Sequence, residues 1–219
     1  MIKKIIAADN TETFLNEIAG ESYHPMNGVI EEILNKYIAP AKIAEKSKTG
    51  KLKILDFCFG LGYNSAMAVD AALKENPSCK IVVIGLEEDM EIIKRIQEVN
   101  PPIKAYNIYK KLNLFNLVVH EDNLKIKVII GDGKEKIKDL KTNSFDAVFF
   151  DPFSPINFPE MWDIKVFREA CRIMKNDAIL ATYTSSELVR KNMAVAGLFW
   201  NESPNRGRKG PGTFAKKWI

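Results

Sequence analysis

Residues 51–64 read KLKILDFCFGLGYN, and the fold turns on them. Leu52, Ile54, Leu55 and Phe57 make a short apolar run without strict alternation, the pattern of a strand buried on both faces. Gly60-Leu61-Gly62 ends the run. A helix-period segment follows over roughly 64–75, with Asn64 or Ser65 suited to its N-cap and Pro77 closing it. A strand, a glycine turn and a helix form the opening unit of a doubly wound α/β sheet.

The same alternation continues downstream. KIVVIGL at 80–86 predicts a second strand, and Glu87-Glu88-Asp89 opens a helix running to Val99, before the Pro101-Pro102 break. Further strands are expected at 126–130, 145–150 and 178–183, with a helix over 185–196 and an insertion at 103–122 carrying its own helix. This order predicts a mostly parallel sheet covered on both faces. Residues 197–219 predict a terminal antiparallel hairpin, with Gly207, Gly210, Pro211 and Gly212 at its turn. Ahead of the first strand come a loop, GESYHPMNG at 20–28, the amphipathic helix VIEEILNKYI at 29–38, and a polar link over 46–51. Residues 1–50 are too few for a core of their own, so they are expected to pack as an extension on a single domain, 51–219.

The chain has 219 residues, 46% hydrophobic and 27% charged, an ordinary globular composition. It holds no run of roughly 18 uncharged apolar residues, and its start lacks the apolar core of a signal peptide, so a soluble cytoplasmic protein without membrane contact is expected. Three cysteines without Cys-x-x-Cys spacing and only two histidines, His24 and His120, argue against a disulfide framework, a metal site or a Ser-His-Asp site. The chemistry is expected to run on carboxylates, backbone amides, aromatics or a bound cofactor. Net charge is +4, and Arg206, Arg208, Lys209, Lys216 and Lys217 make the C-terminal stretch basic with no acidic side chain. Such a stretch is either a solvated tail or a phosphate-contacting patch.

Ligands of open parallel sheets sit at the carboxyl ends of strands. Phe59-Gly60-Leu61-Gly62-Tyr63-Asn64 lets the backbone approach a ligand after the first strand. Glu87, after the second, can accept hydrogen bonds from both ribose hydroxyls, whereas Asp89 suits a helix cap. Gly131-Asp132-Gly133, after the third, offers a carboxylate to an exocyclic amine, or is an Asp-Gly turn. Together they suit an adenosine. Ser65 stands where a dinucleotide fingerprint has its third glycine, which favours S-adenosylmethionine over NAD.

The fourth strand runs into FDAVFFDPFSPINFPEMW, residues 145–162. Asp151 ends that strand and is expected to face the cleft beside the Gly60 turn. Methyl transfer to an amine needs a neutral nucleophile, and a partly desolvated carboxylate can take the proton. Phe153, Phe158 and Trp162 offer faces on which a flat base can stack.

The run Asp151, Phe153, Pro155, Pro159, Glu160, Met161 and Trp162 resembles the Asp-Gly-Phe-Ala-Pro and Pro-Asp-Met-Trp motifs of the MnmC methyltransferase domain, which acts in making 5-methylaminomethyl-2-thiouridine at the tRNA wobble position. Phe59-Gly60-x-Gly62-x-Asn64, Glu87, Gly131-Asp132 and Leu180-Ala-Thr-Tyr-Thr-Ser185 are similar to that family's motifs at other strand ends, and the similarity covers about residues 52–200. It departs at Pro152, where the family has glycine, and in the C-terminal basic stretch.

The resemblance implies a Rossmann-like class I methyltransferase and tRNA as partner. It implies cofactor contacts from Phe59, Gly60, Gly62, Asn64, Glu87, Gly131, Asp132 and Asp151, with Asp151 catalytic. Substrate contacts would come from Phe153, Pro155, Trp162, Thr184, Ser185, Arg208 and Lys209. A chain ending at 219 is expected to lack the family's oxidase domain and to bind no FAD, so its substrate would be an aminomethyl uridine already made. No obligate protein partner is implied. Two other readings remain: a small-amine methyltransferase or aminopropyltransferase of the same fold, and a non-catalytic adenosine- or RNA-binding module.

Overall fold

The computed structural model describes residues 1–203 and 210–218. Its chain begins with an element the sequence pattern did not predict. Strands β1 (Ile2–Ile6), β2 (Glu12–Asn16) and β3 (Glu21–Ser22) form a small antiparallel sheet. These strands are short and partly exposed, so they lack the long apolar run of a buried strand. The predicted helix over 29–38 changes type midway: α1 (Val29–Ile33) passes into a π-helical turn, Leu34–Ile38, closed by Ala39 N–H to Leu34 O at 3.0 Å. Helix α2 (Ile43–Ser47) leads into the main sheet.

Strand β4 (Lys51–Phe57) is followed by α3 (Tyr63–Glu75), β5 (Lys80–Glu87), α4 (Met90–Lys94) and α5 (Tyr106–Tyr109). The helix expected from Glu87 to Val99 is shorter: Asp89 caps α4 through Glu91 N–H, and Arg95–Glu98 tightens to a 3₁₀ turn. Neither Asn64 nor Ser65 caps α3. Gly62 does so in the left-handed region at φ 74°, a backbone that glycine adopts freely. The insertion supplies a short edge strand, β6 (Val118–Glu121), antiparallel to β7 (Leu124–Ile130).

Helix α6 (Gly133–Lys136), β8 (Phe145–Phe150) and a 3₁₀ turn at Pro159–Trp162 come next. They are followed by α7 (Ile164–Ile173), β9 (Met174–Thr182), α8 (Glu187–Val195), β10 (Leu198–Glu202) and β11 (Thr213–Lys217). Strand β9 starts four residues earlier than expected, and α8 starts after its cap Ser186.

The eight-stranded sheet has the order β10-β11-β9-β8-β4-β5-β7-β6. Its five central strands are parallel, and β10 and β11 form the expected antiparallel hairpin. Alternate side chains divide between two cores. Ile54, Val83, Ala147 and Phe149 face the layer of α1, α2 and α3, while Leu55, Phe57, Val148 and Phe150 face α7 and α8. From β4 the chain builds outward through β5 and β7, then returns to lay β8 on the other side. Strand order therefore reverses between β4 and β8, where a crevice opens above the carboxyl ends. The register sets Phe57 beside Phe150, with their rings stacked 4.5 Å apart, so the residues just beyond both meet at this point.

Candidate active site

The turn after β4 is held tightly. Phe59 packs its ring between Gly62 and Gly85, where an added Cβ would come within 2.5 Å of it at either glycine. Gly60 N–H donates to Glu87 Oε2 at 2.7 Å, tying the glycine turn to the end of β5. Glu87 Oε1 accepts from the amides of Glu88 and Asp89 at 2.8 and 2.9 Å. Burial pushes the Glu87 carboxyl up to about 7, against the opposing effect of these amides. Asp132 caps α6 through Lys134 N–H at 2.9 Å and pairs with Lys134 Nζ at 3.1 Å.

Asp151 follows β8, and its N–H donates to Phe57 O at 3.1 Å, which locks the ends of β4 and β8 together. Its two oxygens have different partners. Asn64 Nδ2 donates to Oδ2 at 2.8 Å, and the Tyr37 hydroxyl donates to Oδ1. Burial raises Asp151 to about 6, while these two hydrogen bonds and Lys36 hold it down. Tyr37 lies 114 residues away in sequence, on the π-helical turn, and its ring meets Phe149 edge-on at 5.8 Å.

A cavity of about 930 Å³ joins these groups, at the upper end of the roughly 300–1,000 Å³ usual for small-molecule sites. Its walls include Phe59, Gly60, Asn64, Glu87, Asp132, Asp151 and Phe153 of the predicted residues. Tyr23, His24, Glu32 and Tyr37 come from the N-terminal layer, and of these Glu32 and Tyr37 are the two that sequence reasoning did not connect to the site. The only signal for Tyr37 was its place, with Val29 and Ile33, on the apolar side of the predicted helix. His24 is buried against Tyr63, and burial drops its imidazole to about 3, so it is neutral near pH 7.

The aromatic loop is clamped from the same layer. Glu21 accepts from Ser154 N–H at 2.9 Å, Ser154 Oγ at 2.6 Å and Asn157 Nδ2 at 2.6 Å. Tyr23 packs on Phe153 with ring centroids 5.2 Å apart, and its hydroxyl donates to Asp89 Oδ2 at 3.0 Å.

Several predicted residues stand elsewhere. Trp162 is 2% exposed and sits in the core beneath the loop, where its Nε1–H donates to Phe153 O at 2.9 Å, so its ring offers no face to the cavity. Gly62 and Gly131 shape the backbone behind the wall, both at positive φ. Pro155, Thr184 and Ser185 are also off the wall. Thr184 is buried and accepts from Thr213 Oγ1 through its carbonyl, and Ser185 is exposed. Arg208 and Lys209 lie outside the described residues. Among the described residues there is no group of three or more His, Cys, Asp or Glu placed to hold a metal ion, and no helix is long and apolar enough to cross a membrane.

A parallel sheet with its cleft at the reversal point, a glycine turn and strand-end carboxylates define a Rossmann-like class I methyltransferase. Residues 96–218 match the family described as S-adenosyl-L-methionine-dependent methyltransferase, and the chain belongs to it. Within that family it is MnmC-like. The crystal structure of MNMC2 from Aquifex aeolicus superposes with a TM-score of 0.87 at 31% identity, over 99% of this chain and 70% of that one. An uncharacterized protein of Methanocaldococcus jannaschii is 27% identical over 216 residues, covering 95% of this chain and 58% of its own. The tRNA 5-methylaminomethyl-2-thiouridine biosynthesis bifunctional protein MnmC of Methylibium petroleiphilum is 24% identical over 209 residues, 90% of this chain and 32% of its own. The chain thus spans 58% and 32% of the length of these two relatives.

Proposed function

We propose that the protein methylates the primary amine of 5-aminomethyl(-2-thio)uridine at the wobble position of tRNA. The observation that carries this reading is the environment of Asp151: a carboxylate at the reversal point, gripped by Tyr37 and Asn64, with its pKa raised to about 6. The relatives named for 5-methylaminomethyl-2-thiouridine biosynthesis point to the substrate.

Residues around the cleft suit S-adenosylmethionine. Asn64 Oδ1 is buried and has no hydrogen-bond partner among the described residues, Gly60 lines the wall where an added Cβ would crowd the Tyr23 ring at 3.3 Å, and Glu87 ends β5 on the same wall. We assign Phe59, Gly60, Gly62, Asn64, Glu87, Gly131 and Asp132 to the cofactor half. Phe59, Gly62 and Gly131 would act by shaping the turns. When bound, the cofactor supplies an electrophilic methyl group on a sulfonium.

The protein's part is to present a neutral amine to that methyl group. An alkylammonium titrates near pH 10, and a carboxylate at its ordinary value would be a poor acceptor for its proton. Raising Asp151 from 3.8 to about 6 narrows the gap by roughly two units while leaving the group ionised at neutral pH. Tyr37 and Asn64 fix the carboxylate so that one lone pair of each oxygen remains for the amine. Phe153 and Phe158, with ring centroids 5.5 Å apart, offer a stacking wall for the uracil ring. Trp162 supports that wall from beneath.

The test is methyl transfer to tRNA isolated from cells lacking this enzyme, followed by nucleoside analysis. The expected product is 5-methylaminomethyl uridine or its 2-thio form. Equal labelling of unmodified tRNA would overturn the substrate assignment.

A further inference from the structure

The cavity has a charge opposite to that of the chain. The protein carries +4 overall, yet the cavity wall holds eight carboxylates, Glu32, Asp132 and Asp151 among them, against one lysine, Lys134, among the described residues. Most of these carboxylates are already engaged. Glu21 holds the aromatic loop, Glu87 takes three backbone amides, and Asp132 caps α6 and pairs with Lys134.

Glu32 differs from them. It stands on α1, one turn before Lys36, and the pair is separated by 3.7 Å, longer than the roughly 2.7–2.9 Å of a charged hydrogen bond. Lys36 points behind the wall, with Nζ 3.4 Å from Tyr183 O, and does not line the cavity. Glu32 does line it, with its side chain 15% exposed. Its charge bears on Asp151, Tyr37 and Tyr183 together, raising the pKa of each, which puts it at the same end of the cleft.

We propose that Glu32 is a second carboxylate of the target-amine site, which reads the positive charge of the incoming aminomethyl group and excludes amines bearing a carboxylate. This inference rests on the functional reading above. A primary ammonium has three N–H donors: the two Asp151 oxygens each keep a lone pair beside Tyr37 and Asn64, and Glu32 offers the third acceptor. A carboxymethyl substituent would bring a second anion against Glu32 in a partly desolvated site, where like charges repel strongly. Holding the ammonium also makes it harder to deprotonate, so Glu32 acts mainly on capture rather than on the methyl-transfer step. Its removal should therefore appear in KM more than in kcat.

The experiment measures initial rates with tRNA carrying 5-aminomethyl uridine, in competition with the same tRNA carrying 5-carboxymethylaminomethyl uridine. Glu32→Gln should raise KM about tenfold, with kcat changing far less, and should let the carboxylate-bearing tRNA compete about tenfold better. Cofactor affinity by calorimetry reports whether the fold is kept. Glu32→Asp, which retains the charge, should keep the wild-type discrimination even if it binds less tightly. Unchanged KM and competition in Glu32→Gln, or lost discrimination in Glu32→Asp, overturns the inference alone. Failure of the wild type to methylate the aminomethyl tRNA overturns the functional reading and this inference with it.

Discussion

Replacing Tyr37 by phenylalanine removes one hydroxyl and keeps the ring that packs edge-on against Phe149. Asp151 then loses the donor to Oδ1 and keeps Asn64 on Oδ2. A hydrogen bond to a charged acceptor contributes about 1.5–3 kcal/mol, and one pKa unit is about 1.4 kcal/mol, so the loss is worth roughly one to two units. The bond favours the ionised carboxylate, so its removal moves Asp151 upward, from about 6 to roughly 7–8. Only the ionised form accepts a proton, and the acid limb of the rate profile moves to higher pH with it. At pH 6 the ionised fraction, and with it kcat, should fall roughly 5- to 50-fold. At pH 9 the variant should equal or exceed the wild type, because its base is stronger. The assay is kcat against pH from 5 to 9 with saturating cofactor and aminomethyl tRNA. An acid limb that stays in place would refute the reasoning. A uniform drop at every pH would show that Tyr37 acts on something other than Asp151 ionisation.

Other substitutions probe separate parts of the site. Asp151→Asn should leave cofactor affinity, read by calorimetry, within a few-fold while removing most turnover; retained turnover would reduce Asp151 to a structural role. Asp56 is fully buried, with one oxygen unpartnered among the described residues, and burial raises it to about 8. The folded state therefore holds a proton that the unfolded chain releases between about pH 4 and 8, and stability falls as pH rises through that window. Asp56→Asn should flatten this slope, so its Tm advantage over wild type grows from pH 5 to pH 9. Gly62→Ala places a Cβ 2.5 Å from the Phe59 ring at φ 74°, and should lower Tm by roughly 2–8 °C and weaken cofactor binding. Glu21→Ala releases Ser154 and Asn157, and should raise KM for tRNA and speed proteolysis within 152–160 while cofactor affinity holds.

The parallel strands were legible because burial on both faces leaves near-continuous apolar runs, as in KIVVIGL and FDAVFF. The β1–β3 sheet was not, since IKKII has two partly buried and three exposed side chains and β3 spans two residues. Edge strand β6 is hidden for the same reason: VVHE is four residues long and has one buried position. In the site, Gly60, Glu87 and Asp151 could be placed from sequence because strand ends of an open parallel sheet converge. Tyr37 and Glu32 could not, because no local pattern says which face of the N-terminal helix meets a strand end more than a hundred residues away. The aromatic loop hid a further distinction. Composition marks Phe153 and Trp162 alike, and only packing sends one ring to the cavity and the other to the core.

The π-helical turn makes residue spacing a component of the chemistry. Leu34 and Ala39 are joined across five positions where an α-helix would span four, so the helix carries one residue more than regular winding needs. Deleting one residue there would let the helix close normally and turn the following side chains by about 100° relative to Glu32. Every strand of the large sheet would keep its sequence, yet Tyr37 would leave Asp151. Relatives compared across this segment should therefore be compared by helix length as well as by residue identity, since a single-residue gap there would separate chains that share every other feature of the cleft.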